Sequence, residues 1–334
     1  MDFSPARYDN MQYRRCGHSG LMLPAISLGA YETYGSYVGE DVAKACLYRA
    51  FDLGITHFDL ANNYGVPPGN AEIMVGKILK TMPRDELIIS TKAGWRMWPG
   101  PYGEWLSKKY LVASLDQSLK RLGLDYVDIY YAHRPDPETP LEETMEALDL
   151  IVRQGKALYI GVSSFSGAHF EDACKVVERH GLSHILIHQP RYSMLDRRIE
   201  WDLLDHTKRN GTGVITFGSL GAGLLTNKYL GGDIPEDSRA GALWGEKTQS
   251  RITPENLAKV RALNEIAANR GQTLAQMAIA WVLRLPEITS VLVGASRVHQ
   301  IEENVAALEN LEFSEEELAQ IDKVTGEQSQ NALR

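Results

Sequence analysis

Eight short apolar runs, each followed by a longer stretch with helical spacing, constrain this chain more than any other feature. The runs are AISLG (25–29), THFDL (56–60), LIIST (87–91), YVDIYYAH (126–133), ALYIGVS (157–163), HILIHQ (184–189), GVITFG (213–218) and ITSVLVG (288–294). They are β-rich and continuous rather than alternating, as parallel strands buried on both faces are. Between them lie amphipathic stretches such as 40–54, 108–123 and 139–155. Gly54, Gly123, Gly155 and Gly181 each follow the last apolar position of a helical stretch, where a C′ glycine ends a helix.

Strand–helix alternation repeated eight times predicts an α/β fold of one kind, a single (β/α)8 barrel. A doubly wound sheet is the rival, weakened because no GxGxxG follows the first strand. Two additions to the barrel are expected. Residues 13–24 read as a β-hairpin ahead of the first strand, and the Gly-rich segment 218–255 reads as a long loop after the seventh. Loops of that length in a compact domain generally carry function. No linker or low-complexity tract divides the chain, so one domain over 1–334 is expected.

Composition narrows the function classes. A formal charge of −8 lacks the dense cationic field that phosphate backbones require, so no nucleic-acid partner is expected. The three cysteines, Cys16, Cys46 and Cys174, have neither disulfide-framework nor zinc spacing, and no metal is expected. The polar N-terminus is unlike a signal peptide and no apolar run reaches the roughly 20 residues of a membrane span. A cytoplasmic protein without a membrane partner is the resulting expectation.

In a barrel of this kind, chemistry belongs at the C-terminal ends of the strands. Asp59 ends the second run and Tyr64 follows it; Lys92 closes the third and His133 the fourth. Taken singly, each has a bland explanation: a turn cap, a packing ring, a solvated cation. Four compatible groups at consecutive strand ends make a proton-delivery site the better account. A phenol is too weak an acid near neutrality, and an adjacent ammonium favours its ionised form. A carboxylate keeps that ammonium charged, and an imidazole orients the substrate oxygen. Asn62 and Asn63 are read only as shaping the turn that aims Tyr64.

The later strands suit a flat ring bearing a carboxamide. Ser163 and Ser164 end the fifth run, Gln189 ends the sixth, and Phe217 sits at the end of the seventh, where a ring can stack. Glycines after Phe217 allow backbone N–H groups to approach a pyrophosphate. Ser296 and Arg297 open the helix after the eighth run, a position suited to an adenosine 2′-phosphate.

These motifs, THFDLANNYG, STKAG, YVDIYYAH, GVSSFS, GLLTNKY and LVGASRVHQIEENV, resemble the aldo-keto reductase superfamily in order and spacing from Tyr13 to Val324. The chain looks most like the branch holding bacterial L-glyceraldehyde-3-phosphate (methylglyoxal) reductases and potassium-channel β-subunits. The resemblance implies NADPH as cofactor and Asp59, Tyr64, Lys92 and His133 as catalytic tetrad, with Tyr64 donating the proton. It implies nicotinamide contacts from Ser163, Ser164, Gln189 and Phe217, and pyrophosphate contacts from Leu220, Gly223 and Lys228. Adenosine-phosphate contacts would come from Arg239, Gly294, Ser296, Arg297, Gln300, Glu303 and Asn304, and substrate-side aromatics would be Tyr31, Trp95 and Trp98. Arg134, directly after His133, is a candidate for a substrate phosphate or for pairing with Asp136 or another structural acid. The implied substrate is a small aldehyde or 2-oxoaldehyde, and the implied assembly a homo-oligomer, tetrameric or larger.

The family loop FSPLAQG has a proline two residues after the stacking aromatic, whereas this chain has Phe217-Gly218-Ser219. Greater freedom in the unbound loop is expected to weaken NADPH binding by about 1 kcal/mol. The alternative reading is a cofactor-sensing regulatory subunit of a channel complex, sharing barrel and tetrad. A nonredox isomerase barrel is poorly supported by the Ser163, Gln189 and Arg297 constellation.

Overall fold

All eight apolar runs form strands, and the strands close on themselves. The computed structural model describes residues 3–31, 33–234, 241 and 249–326. An antiparallel hairpin comes first: β1 (Tyr13–Arg15) pairs with β2 (Met22–Pro24). The barrel strands follow as β3 (Ile26–Gly29), β4 (His57–Asp59), β5 (Ile88–Ala93), β6 (Val127–Ala132), β7 (Ala157–Ser163), β8 (Ile185–Gln189), β9 (Gly213–Thr216) and β10 (Ile288–Val293). Each pairs in parallel with the next, and β10 returns to β3. Closure removes both edges of the barrel sheet, so every barrel strand is paired on both sides.

Helices cover the outside. Those used below are α1 (Glu40–Asp52), α2 (Asn70–Leu79), α3 (Lys108–Leu122), α4 (Leu141–Arg153), α5 (Gly167–His180) and, after β10, α6 (Val298–Val305). The four glycines expected to end α1, α3, α4 and α5 all adopt positive φ, between 62° and 86°. That left-handed geometry is nearly free for glycine and costs other residues about 1 kcal/mol or more.

Strand periodicity sorts side chains between two cores. Outward residues such as Phe58, Ile89, Tyr130 and Val291 join the large layer between barrel and helices. Inward residues Ile129, Tyr131, Ile187, Ile215 and Leu292, joined by Leu186 where the β7–β8 register shifts, form a second cluster, which Cys16 and Leu23 of the hairpin cap. The hairpin is thus the stopper of the barrel's lower end. Gly161 lies inside that cluster because the Tyr131 ring occupies its space: a Cβ there would stand 2.5 Å from the ring.

Candidate active site

Three of the four candidate catalytic side chains are brought to the open end by alternation along β4, β5 and β6. His57 and Asp59 share the inner face of β4, and Ser90 and Lys92 that of β5, as a spacing of two requires. Lys92 Nζ donates to Asp59 Oδ2 at 2.5 Å and to the Leu60 carbonyl at 2.7 Å. Both side chains are almost fully enclosed, at 0% and 3% exposure, so the pair must satisfy itself internally. The second carboxylate oxygen of Asp59 accepts from Ser90 Oγ at 2.6 Å and from Gln189 Nε2 at 3.2 Å.

Tyr64 reaches this pair from the loop after β4. Its carbonyl accepts from the backbone N–H of Gly69 and Ala71, both at 3.1 Å, and its own N–H donates to the Ala61 carbonyl. Lys92 Nζ lies 5.1 Å from the Tyr64 ring centroid, and the Tyr64 and His133 rings meet edge-to-face at 5.8 Å. Asn62 has a larger part than turn geometry alone. Its N–H donates to the Lys92 carbonyl, and its side chain donates to Tyr110 Oη at 3.2 Å. Tyr110 in turn donates to the Trp95 carbonyl at 2.5 Å, which ties the Tyr64 loop to the loop after β5.

Burial sets the protonation states. It drives the Lys92 ammonium below its ordinary value, and the Asp59 carboxylate opposes that drift. His133 is held neutral, well below the usual imidazole value, first by burial and then by the nearby Lys92 and Arg134 cations. Behind Lys92, Glu72 of α2 is wholly buried and accepts from Thr91 Oγ1 at 2.5 Å and Arg121 Nε at 2.7 Å.

The substrate-side candidates divide. Tyr31 packs edge-to-face on Tyr64 at 5.0 Å, and Trp95 stands perpendicular to His133 at 6.3 Å; both remain more than 40% exposed at the mouth. Trp98 packs on Tyr110 instead, one layer from the tetrad. Arg134 is clamped. Its guanidinium carbon lies 3.8 Å from the ring centroids of both Trp95 and Trp105, its Nε donates to Gly94 O at 3.0 Å, and it pairs with Glu104. Of the two readings offered for Arg134, pairing with a structural acid is the one this geometry displays. Glu104 and Trp105 were not singled out in the sequence, because a Trp at φ 72° in an irregular loop has no period to betray it.

The cofactor-side candidates line the same end. Gln189 Nε2 must face Asp59, since a carboxylate only accepts, which leaves the Gln189 side-chain carbonyl oxygen as an acceptor. Ser163 Oγ donates to the Gln189 backbone carbonyl at 2.9 Å, while Ser164 is exposed at φ 61°. Phe217 has the Arg191 guanidinium 5.6 Å from its ring centroid. Leu220 and Gly223 lie in a tight turn beyond it, and Lys228 is exposed on the following short 3-10 turn. At α6, Gln300 Oε1 accepts from the Ser296 N–H at 2.9 Å, Arg297 and Gly294 are exposed, Glu303 is half-buried and Asn304 buried. Arg239 lies outside the described residues. An amide acceptor at one end of this row and cations at the other form a donor set that fits a nicotinamide dinucleotide.

The Aldo/keto reductase family model matches residues 25–325. L-glyceraldehyde 3-phosphate reductase of Escherichia coli (strain K12) is 55% identical over 329 residues, covering 96% of this chain and 94% of that protein. A probable voltage-gated potassium channel subunit beta of Arabidopsis thaliana is 39% identical over 304 residues, covering 90% of this chain and 92% of that protein. A putative subunit of the same kind from Schizosaccharomyces pombe (strain 972 / ATCC 24843) is 39% identical over 328 residues, covering 94% and 93%.

Proposed function

Because this chain belongs to the aldo/keto reductase family and is an oxidoreductase, we propose that it reduces small aldehydes and 2-oxoaldehydes with NADPH, Tyr64 supplying the proton. The observation that carries the reading is the enclosed Asp59–Lys92 pair beside Tyr64, with neutral His133 across from it. When bound, NADPH supplies the hydride. Phe217, Ser163, Ser164 and the Gln189 side-chain carbonyl would hold its nicotinamide end, and Leu220, Gly223 and Lys228 its pyrophosphate. Gly294, Ser296, Arg297, Gln300, Glu303 and Asn304, with Arg239, would take the adenosine phosphate.

On the substrate side the chain's own groups do the rest. Neutral His133 presents an N–H to the carbonyl oxygen, orienting it toward the Tyr64 hydroxyl. Lys92 favours the phenolate that remains after proton transfer, and Asp59 keeps Lys92 charged against burial. Tyr31 and Trp95 wall the mouth, with Trp98 behind them. Arg134 stiffens the Trp95 wall, and its matched charge assigns it to shaping the pocket. The similarity to a reductase named for L-glyceraldehyde 3-phosphate supports a three-carbon aldehyde as substrate.

The test is fluorescence titration with NADPH and NADH, followed by an aldehyde panel that includes methylglyoxal and L-glyceraldehyde 3-phosphate. Tyr64→Phe is expected to lower reduction by at least 100-fold, within the range of general acid catalysis, while NADPH affinity stays within about twofold. Full activity in that variant would sink the mechanism. Tight NADPH binding with no turnover on any aldehyde would instead favour a cofactor-sensing regulatory protein.

A further inference from the structure

The interior of a (β/α)8 barrel is ordinarily filled with branched apolar side chains. One side of this barrel departs from that rule. Ser290 of β10, Ser27 of β3, His57 of β4 and Ser90 of β5 all have 0% exposure, and they form one unbroken hydrogen-bonded row. Ser290 Oγ and Ser27 Oγ are 2.7 Å apart; Ser27 Oγ and His57 Nδ1, 3.0 Å; His57 Nε2 and Ser90 Oγ, 2.9 Å. The row ends where Ser90 Oγ donates to Asp59 Oδ1 at 2.6 Å. Four buried polar side chains stabilise a core less readily than apolar ones of equal volume, even when fully bonded. The neighbouring interior positions Ile129, Ile187, Ile215 and Leu292 show that this barrel accepts apolar filling elsewhere.

We propose that His57 is a positioning residue for the site: through Ser90 it fixes the orientation of the Asp59 carboxylate that holds Lys92. The inference rests on the proton-donor reading of Tyr64 given above.

Chemistry assigns every proton in the row from one end. A carboxylate only accepts, so the Ser90 hydrogen points to Asp59 and a Ser90 lone pair is left facing His57. His57 Nε2 therefore carries the hydrogen and donates it to Ser90. Nδ1 is then bare and accepts from Ser27, which accepts in turn from Ser290. Reversing any bond leaves two acceptors or two donors face to face. Burial keeps His57 neutral, its pKa pushed down to about 4, so the assignment holds throughout the neutral range. The ionisable groups around the row are Asp59, Lys92 with Glu72 behind it, Tyr131 of β6, His133 just after it, and Tyr64. Cys16 of the hairpin stands against Tyr131. Among them, the carboxylate of Asp59 is the group the row touches.

Without the imidazole, the Ser90 hydroxyl is free to turn away and Asp59 loses one of the donors that align it. Lys92, already driven toward neutrality by burial, then has a weaker counterion, and Tyr64 a weaker cation beside it. The phenolate of Tyr64 becomes harder to form. A residue that merely fills the core would leave that ionisation unchanged.

The experiment compares full-length wild type, His57→Phe, His57→Gln and Ser90→Ala, each with and without Tyr64→Phe, so that phenolate absorbance differences report Tyr64 alone. The Tyr64 midpoint is expected to rise by about 1 pH unit in His57→Phe and Ser90→Ala. His57→Gln, which keeps an N–H near Nε2, is expected to restore most of the wild-type midpoint. Where aldehyde turnover is measurable, the high-pH limb of kcat should move with that midpoint and kcat should fall about tenfold. An unchanged midpoint in folded His57→Phe overturns the proposal, as does a shift that Gln does not reverse. Should His57→Phe fail to fold, Ser90→Ala decides alone, since it removes one hydroxyl. The titration needs no turnover, so a wild type that reduces no aldehyde refutes the reductase reading while this readout still decides the role of His57.

Discussion

Single residues in this protein are governed by burial more than by their neighbours' charges. Two enclosed imidazoles show it: His57 inside the barrel, and His188, which faces outward between the rings of Phe165 and Phe170. Burial lowers the His188 pKa from its ordinary 6.5 to about 3. The unfolded chain therefore binds a proton that the folded chain refuses across that window, and stability falls as pH drops through it. His188→Leu removes that term. Between pH 6.5 and pH 4 the variant is expected to lose about 3 kcal/mol less stability than wild type, measured by denaturant melts across pH. Parallel pH profiles for the two proteins would contradict a neutral, buried His188.

At the scale of elements, the segment after β9 differs from expectation in an instructive way. Its glycines suggest looseness, yet they build a defined turn. The Gly221 N–H bonds to the Gly218 carbonyl at 2.8 Å, and Leu220 sits at φ −90°, ψ 15°. That is a type I β-turn with Ser219 at its second position, where the fixed φ of proline fits. Gly218 itself lies at φ 74°, so a threonine there would be strained. Restoring the proline of the related loops therefore calls for Ser219→Pro alone. That variant is expected to tighten NADPH binding a fewfold, corresponding to about 0.4–1 kcal/mol of reduced chain entropy. Equal NADPH affinity, with an unaltered melting temperature, would show that loop freedom has no bearing on cofactor binding.

On the scale of the whole molecule, every barrel strand is paired on both sides, and the hairpin shares its interior cluster with β6, β8, β9 and β10. No part of such a closed sheet can leave without exposing the edges of the strands beside it. We propose that residues 1–334 form one folding unit, expected to give a single calorimetric transition with equal van't Hoff and calorimetric enthalpies. Two resolved transitions would refute that unity. Among the described residues, no helix is long and apolar enough to cross a membrane.

Sequence alone determined the strand count, the barrel class and the left-handed helix ends, and it pointed to Asp59, Tyr64, Lys92 and His133 as a proposed catalytic set. Each is written in local order: apolar runs, terminal glycines, and polar groups just past a run. Asp59 and Lys92 are 33 positions apart, yet each is legible as the last polar residue of its own strand. What sequence left undecided was every pairing between non-neighbouring segments. Nothing in the letters joins Ser290 to Ser27, or His57 to Ser90, because those contacts arise only when β10 closes against β3 and adjacent strands take their register. Proximity in sequence offered Asp136 as a partner for Arg134, but Asp136 caps backbone N–H groups instead, and Arg134 pairs with Glu104 from the loop that also carries Trp105. Local pattern fixes which face a side chain takes; closure of the barrel decides what that face meets.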